Sequence, residues 1–328
     1  MNRMVDSGRT FLTGGSGFIG KAVISSATKP VRALVHKTPL ISADVEIVIG
    51  DLLDPKSPIL SWLNDVDSIL HLARPAGSTD RQRHRKAKQT ASSVKRLLNA
   101  REVVKIPAVA VHGSLSYGDR GDDLVYPNDP ISPVGYAEAY AIGEAPWRDE
   151  IGKNVTLVRA PWVLGAGSWF NLLYMGESVP VFEDGSMWMS IVDVNDFATW
   201  LWELMKKPPG GVLHPPLLRR CRQIEFANLV AEIRSIPLEI KLIDKEPIYN
   251  IPILDPFEIR NLEHKFEDGS LSMVKLNENS SSSTEFFFSL NKLPEFDGRY
   301  SIFGRVISGL EILDNLDKND LIKNIEFY

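Results

Sequence analysis

The segment Thr13-Gly14-Gly15-Ser16-Gly17-Phe18-Ile19-Gly20 constrains the fold of this chain more than any other stretch. It follows a short apolar run, Arg9-Thr10-Phe11-Leu12, and opens into a stretch with helical patterning, Phe18 to Ala27. Strand, tight glycine turn and helix start, in that order, build a pyrophosphate-binding site. The first turn of such a helix offers free N–H groups and a partial positive charge to a diphosphate. Gly14 permits the turn, Gly17 lets backbone approach the phosphates, and Gly20 lets helix pack on strand. Ser16, Phe18 and Ile19 complete the turn. Three glycines alone are a weak signal, but the flanking strand and helix make it specific.

From Arg9 to about Ala160, apolar runs alternate with amphipathic stretches, the pattern of a parallel sheet with helical crossovers. Strands are expected at Thr10–Thr13, Val31–Val35, Glu46–Ile49, Ser68–Leu72, Ala108–Val111 and Thr156–Arg159. Helices are expected at Phe18–Ala27, Pro58–Asn64, Arg85–Arg101 and Tyr136–Ile151, with Pro146 ending or kinking the last. The fold class is therefore α/β, a Rossmann-like doubly wound parallel sheet. Near Ile240 the composition changes to β-branched and aromatic runs punctuated by turn residues, including Phe266-Glu267-Asp268-Gly269 and Phe296-Asp297-Gly298. This tail reads as β-rich, with the serine run Ser280–Ser283 as a loop. The boundary is expected within Ser235–Tyr249, giving a first domain of residues 1–240 and a second of 241–328.

A net charge of −5 gives no global reason to expect nucleic acid or an anionic membrane as partner. No apolar run reaches the roughly 18 residues of a membrane span, and residues 1–8 lack the apolar core of a signal peptide. The single cysteine, Cys221, rules out an intramolecular disulfide and fits a reducing cytoplasm. No His or Asn pattern accompanies it, so a packing role is expected. No metal site is expected.

The turn written TGGSGFIG resembles that of the extended short-chain dehydrogenases/reductases, specifically their NAD-dependent epimerase/dehydratase branch. Further landmarks agree in order over residues 9–236. Asp51-Leu52 after Gly50 resembles the element bordering the adenine, and His71-Leu72-Ala73 the fourth strand beside the cofactor. Ser116-Tyr117-Gly118-Asp119 resembles the active-site loop, Arg159-Ala160-Pro161 with Leu164-Gly165 the sixth strand and its exit, and Val192–Asp196 the late element before a helix. The resemblance implies a nicotinamide cofactor contacted by Asp51, Leu52, Leu72, Ala73 and Pro161. At the end of the second strand a carboxylate would hold ribose hydroxyls and a cation would accept a 2′-phosphate. This chain has His36 and Lys37 there and no carboxylate nearby in sequence, which favours NADP and leaves NAD open.

The same resemblance implies a catalytic Ser/Thr, a Tyr, and a Lys four residues after the Tyr. A phenol with a free pKa of about 10 needs a nearby cation to act as acid or base at neutral pH. Tyr136 occupies the tyrosine position, but Tyr140, a neutral phenol, stands where the lysine belongs. The serine register lands on Gly113, with Ser114 one residue away. The family's asparagine falls at Lys86 if Thr90 takes the usual threonine's place.

The helix Asp80–Lys105 is dense in cations (Arg81, Arg83, Arg85, Lys86, Lys88, Lys95, Arg96 and Arg101) and reads as a solvated face, since no aromatics interleave. Residues 162–190 are implied to lie over a substrate cleft, where Trp169 and Trp188 either stack on a ligand or pack. Trp200 and Trp202 are expected to pack.

The tail segments Lys265–Met273, Thr284–Phe288, Phe296–Val306 and Gly309–Asp314 are similar to the C-terminal half of the cyclophilin-type peptidyl-prolyl isomerases. The half of that family carrying its catalytic arginine has no counterpart here, and Arg305 belongs to a different element. Phe287 matches the apolar wall that receives proline, while Glu285 stands in place of a glutamine. A half barrel leaves open strand edges, which suits self-association or a protein partner. Three readings stay open. One is an NAD(P)-dependent oxidoreductase or epimerase acting on a small carbonyl, alcohol or sugar-derived substrate, with Tyr136 as acid/base and Ser114 polarising the reacting oxygen. The second is a non-catalytic NADP-binding sensor with a β-rich interaction tail. The third is an isomerase-like folding factor.

Overall fold

The computed structural model describes residues 8–40, 42, 44–74, 77, 79–241, 250–252, 268–277, 280–293, 302–306, 309–313 and 315. The chain opens with β1 (Arg9–Thr13), α1 (Phe18–Ser25), β2 (Val31–Val35), β3 (Val45–Ile49), α2 (Ile59–Trp62) and β4 (Val66–His71). There follow α3 (Asp80–Val104), β5 (Ala108–Gly113), α4 (Tyr136–Asp149), β6 (Val155–Ala160) and β7 (Trp162–Leu164). Then come α5 (Trp169–Leu173), β8 (Val179–Phe182), β9 (Trp188–Asp193), α6 (Val194–Lys206), β10 (Gly211–Leu213), β11 (Arg219–Arg222), α7 (Gln223–Arg234) and β12 (Leu238–Lys241).

A seven-stranded sheet in the order β10-β6-β5-β4-β1-β2-β3 forms the frame, and every pairing in it is parallel. Its central strands read as continuous apolar runs because helices cover both faces. One face carries α1 and α6, tied together where the Trp202 indole N–H donates to the Val23 carbonyl at 2.8 Å. On the other, Phe11, Ile69, Ala108 and Leu157 of the sheet pack with Trp62, Val94, Leu97 and Trp147 of α2, α3 and α4. The strand order reverses between β1 and β4, so a crevice opens at their carboxyl ends, where doubly wound sheets bind ligands.

Pro146 does not end α4, which continues to Asp149. Pro146 removes one donor, the partner of the Ile142 carbonyl, while the turn beyond it closes through Glu150 N–H to the Trp147 carbonyl and Ile151 N–H to that of Arg148. Helix α3 is longer than Arg85–Arg101 and close to the cation-dense helix expected over Asp80–Lys105; at its start the Thr79 side chain accepts from the Gln82 N–H at 3.3 Å.

Residues after β6 build a smaller lobe, a β11-β9-β7 sheet and a β12-β8 pair, closed by α5 and α7 around Tyr174, Phe182, Met189, Cys221 and Phe226. Cys221 is buried here, and burial pushes its thiol pKa up, as suits a packing residue. Asn250–Pro252 closes the side of this lobe: Arg120 N–H donates to the Asn250 carbonyl and Val125 N–H to that of Pro252.

The chain divides into two compact units, Met1–Phe257 and Glu258–Tyr328. In the second, β13 (Ser270–Asn277) pairs antiparallel with both β14 (Ser280–Phe288) and β15 (Ile302–Arg305), and a short α8 (Leu310–Leu313) follows. The serine run is therefore strand, not loop: Ser280 and Ser281 pair with Asn277 and Lys275. Apolar periodicity cannot reveal such a segment, because its backbone pairing supplies the order that its side chains do not. The expected turn residues 266–267 and 296–298 lie outside the described residues. Among the described residues no helix is long and apolar enough to cross a membrane.

Candidate cofactor and catalytic site

The glycine turn links β1 to α1 at the mouth of the crevice. Gly14 has φ +78°, and a Cβ there would stand 2.8 Å from the Ala73 N, so only glycine lets β1 and the end of β4 approach this closely. A Cβ on Gly20 would run into the Gly14 carbonyl oxygen. Gly17 is exposed and precedes the first helical N–H groups with no side-chain cap. The residues present thus form a cradle that a Cβ would fill, with uncapped amide donors at its rim, and this fits a diphosphate.

At one end of the crevice, His36 and Lys37 are exposed after β2. The absence of a carboxylate needs correction. The fold brings Asp51, from the loop after β3, to 3.7 Å between its Oδ2 and His36 Nε2, while Asp51 Oδ1 accepts from the Leu53 N–H at 2.9 Å. Parallel pairing of β2 with β3 sets two distant strand ends side by side, which spacing along the chain does not show.

At the other end, Leu72 and Ala73 are half-buried beside the glycine turn, and the Leu72 N–H donates to the Thr13 carbonyl at 3.0 Å. Just before them, His71 Nδ1 lies 2.8 Å from Thr13 Oγ1. Burial, with the charge of His112 adding to it, lowers the His71 pKa from 6.5 to about 3. Just after them, the Arg74 guanidinium carbon stands 5.7 Å from the centre of the Tyr140 ring. Pro161 is half-buried at the exit of β6.

Ser114 opens a 3-10 turn, Ser114–Tyr117, at the end of β5 and is buried. Tyr136 opens α4, and its side chain lies outside the described residues. Tyr136, Tyr140 and Glu144 fall at i, i+4 and i+8, hence on one helix face. Glu144 is fully buried and pairs with both guanidinium nitrogens of Arg159, with Arg148 Nε at 3.2 Å and with His112 Nδ1 at 3.7 Å. Arg159 also lies over the Tyr117 ring, at 5.4 Å, and Tyr117 Oη is 2.8 Å from His214 Nε2. Burial pushes the Tyr117 phenol pKa up. His112 is lowered from 6.5 to about 3, by burial first and then by the charges of Arg159 and Arg148.

Sequence reading missed this buried network and Arg74. One signal was available: an arginine inside the otherwise apolar strand Val155–Ala160 demands a buried partner. The basic face of α3 is also not wholly solvated. Arg101 is 2% exposed and donates to the Ile106 and Lys153 carbonyls, while Arg96 donates to those of Leu52 and Asp54. Trp200 and Trp202 are buried. Trp169 packs edge-on to Trp162 and Tyr174 in the small lobe's core. The Trp188 indole donates to Asp122 at 2.8 Å beneath the Arg222 guanidinium.

Known proteins of similar fold include the dTDP-glucose 4,6-dehydratase of Streptomyces venezuelae, solved with NAD and TYD bound. It shares 19% identity and a TM-score of 0.61, over 74% of this chain and 88% of that one. The UDP-N-acetylglucosamine 4-epimerase of Methanobrevibacter ruminantium gives 17% identity and 0.62, over 75% and 88%. Residues 227–326 match the cyclophilin type peptidyl-prolyl cis-trans isomerase model. A peptidyl-prolyl isomerase of Helicobacter pylori is 32% identical over 72 residues, 21% of this chain and 44% of that protein. Arabidopsis thaliana isomerase CYP18-1 is 44% identical over 62 residues, 19% and 38% of the two chains. This chain thus spans less than half the length of the isomerases it matches. Residues 10–214 match the NAD dependent epimerase/dehydratase model, and with the parallel sheet and glycine cradle already in place, the chain belongs to the NAD dependent epimerase/dehydratase family.

Proposed function

We propose that the first unit binds a nicotinamide dinucleotide along the carboxyl ends of β1, β2 and β4 and acts on a hydroxyl or carbonyl carbon of a small alcohol, carbonyl or sugar-derived substrate. The observation that carries this reading is the cradle at Gly14, Gly17 and Gly20, closed to any Cβ at its two ends and rimmed by uncapped amides. Ser16, Phe18 and Ile19 would hold the diphosphate with those glycines. His36, Lys37, Asp51 and Leu52 would border the adenine ribose, and Leu72, Ala73 and Pro161 the nicotinamide end. The bound dinucleotide supplies hydride chemistry. In this chain Tyr136 would exchange the proton with the substrate oxygen, and Ser114 would polarise it. Lys37 and His36 favour NADP, because a 2′-phosphate asks for cations. Fluorescence titration with NADPH and NADH tests the reading: saturable binding supports it, and no binding of either overturns it.

A second reading keeps the dinucleotide and drops turnover. It is favoured by Tyr140, which cannot supply the positive charge that a tyrosine acid/base needs from its own helix. Activity in the parent protein supports the first reading. Activity that emerges only in Tyr140→Lys supports the second.

For the tail, the three-stranded antiparallel sheet supports a β-rich interaction element for a protein partner or a second copy. An assay of prolyl-peptide isomerisation is expected to show no acceleration, and acceleration would favour a folding factor instead.

A further inference from the structure

We infer that Arg74 grips the nicotinamide end of the dinucleotide, with the ring of Tyr140 as its seat. The inference rests on the cofactor reading above and deepens it by naming the cation of the site.

The path of the chain places Arg74 there. β4 ends at His71, the Leu72 N–H is bonded to the Thr13 carbonyl, and the Ala73 N lies against Gly14. Residue 74 is therefore the first to leave the crevice between β1 and β4, the switch point at which the two halves of a dinucleotide meet. From the other side comes the face of α4 that carries Tyr136, Tyr140 and Glu144. Its orientation is fixed two turns along, where Glu144 is locked to Arg159 of β6 and faces His112 of β5. Tyr140 sits between that anchor and Tyr136.

The Arg74 guanidinium bridges the two elements at 5.7 Å from the Tyr140 ring centre, within cation–π range. A guanidinium held over a ring by cation–π attraction keeps N–H donors with which to reach a ligand. Ribose hydroxyls are acceptors suited to those donors. The group is exposed, so a ligand can reach it. Tyr140 thus does not hold a charge itself but seats one delivered from the loop after β4. Tyr140 is a positioning residue, and Arg74 the one that touches the cofactor.

The test compares full-length parent, Arg74→Gln, and Arg74→Gln with Tyr140→Lys by calorimetric titration with NADPH, NADH and ADP, with melting temperatures recorded alongside. ADP lacks the nicotinamide half. Arg74→Gln is expected to weaken dinucleotide binding by about tenfold or more, the effect of one charge-assisted hydrogen bond, while ADP affinity and melting temperature stay unchanged. Adding Tyr140→Lys restores dinucleotide affinity by returning a cation from α4. Tyr140→Leu, which removes the aromatic face, is expected to weaken dinucleotide binding while ADP affinity stays unchanged. Equal dinucleotide affinity in parent and Arg74→Gln overturns this inference and leaves the cofactor reading standing. So does a parallel loss of ADP affinity, which makes Arg74 a general anion or folding residue. A folded parent that binds no dinucleotide overturns both.

Discussion

Arg159, inside β6, donates through both terminal nitrogens to the two carboxylate oxygens of Glu144 on α4, and neither side chain meets solvent to any extent. The pair joins a central strand to the helix that carries Tyr136 and Tyr140 on the same face. A charged pair at this depth contributes little net stability compared with apolar packing, but it penalises any other register of α4 on the sheet. His112 and Arg148 meet the same carboxylate from β5 and from the next helical turn. The position of the candidate catalytic tyrosine is therefore set by charge pairing two turns away.

Breaking that pair on one side leaves a buried charge unmatched. Arg159→Met is expected to cost about 3–5 kcal/mol of unfolding free energy, read from urea denaturation. A loss below about 1 kcal/mol would show that water or Arg148 rescues the carboxylate.

The buried histidines make stability depend on pH. His71 and His112 stack at 6.5 Å, and both have native pKa values lowered from 6.5 to about 3. Facing them are the Glu144 carboxylate, the Arg159 and Arg148 guanidinium groups, Trp147 and Thr13. Between those pKa values the unfolded chain binds more protons than the native one, so unfolding is favoured as pH falls. The stability present above pH 6.5 is expected to drop steadily towards pH 3, and His71→Gln should flatten that slope in pH-dependent melts. An unchanged slope would place the acid sensitivity elsewhere.

Gly20 and Gly17 separate fold from binding. Gly20→Ala forces a Cβ into the Gly14 carbonyl and is expected to lower both melting temperature and cofactor affinity. Gly17→Ala keeps an ordinary φ of −77° and asks that oxygen, 3.2 Å from the new Cβ, to give by only a few tenths of an ångström, so the fold is expected to tolerate it. Its methyl group stands at the exposed rim, and dinucleotide binding should weaken while the melt does not. A variant that binds normally would move the diphosphate away from this turn.

At the adenine end, Lys37→Glu is expected to shift preference from NADPH towards NADH by about tenfold or more, since a 2′-phosphate would lose an ion pair and meet a like charge. Ratios of dissociation constants measure this. An unchanged ratio would leave the choice to His36 and Asp51.

Most of the large sheet was legible because its strands are buried on both faces and read as apolar runs between glycine and proline breaks. β10 was not: Gly211–Leu213 is three residues long and supplies no pattern. β11 is Arg219-Arg220-Cys221-Arg222, whose only buried side chain is Cys221, so its pairing with β9 has no apolar signature. The glycine cradle was legible because each glycine answers a local steric demand. Arg74 on Tyr140, His36 by Asp51, and the pairing of Glu144 with Arg159 were not, because each joins elements distant in sequence through polar groups, for which periodicity carries no information.

The uncapped start of α1 is expected to carry a dinucleotide's diphosphate. Titrating the intact protein with NADPH and NADH, against Gly17→Ala as a folded control, measures this most directly. Saturable binding by the parent, and much weaker binding by the variant at equal melting temperature, are expected. A parent that binds neither dinucleotide, or binds one with the same affinity as the variant, would contradict it.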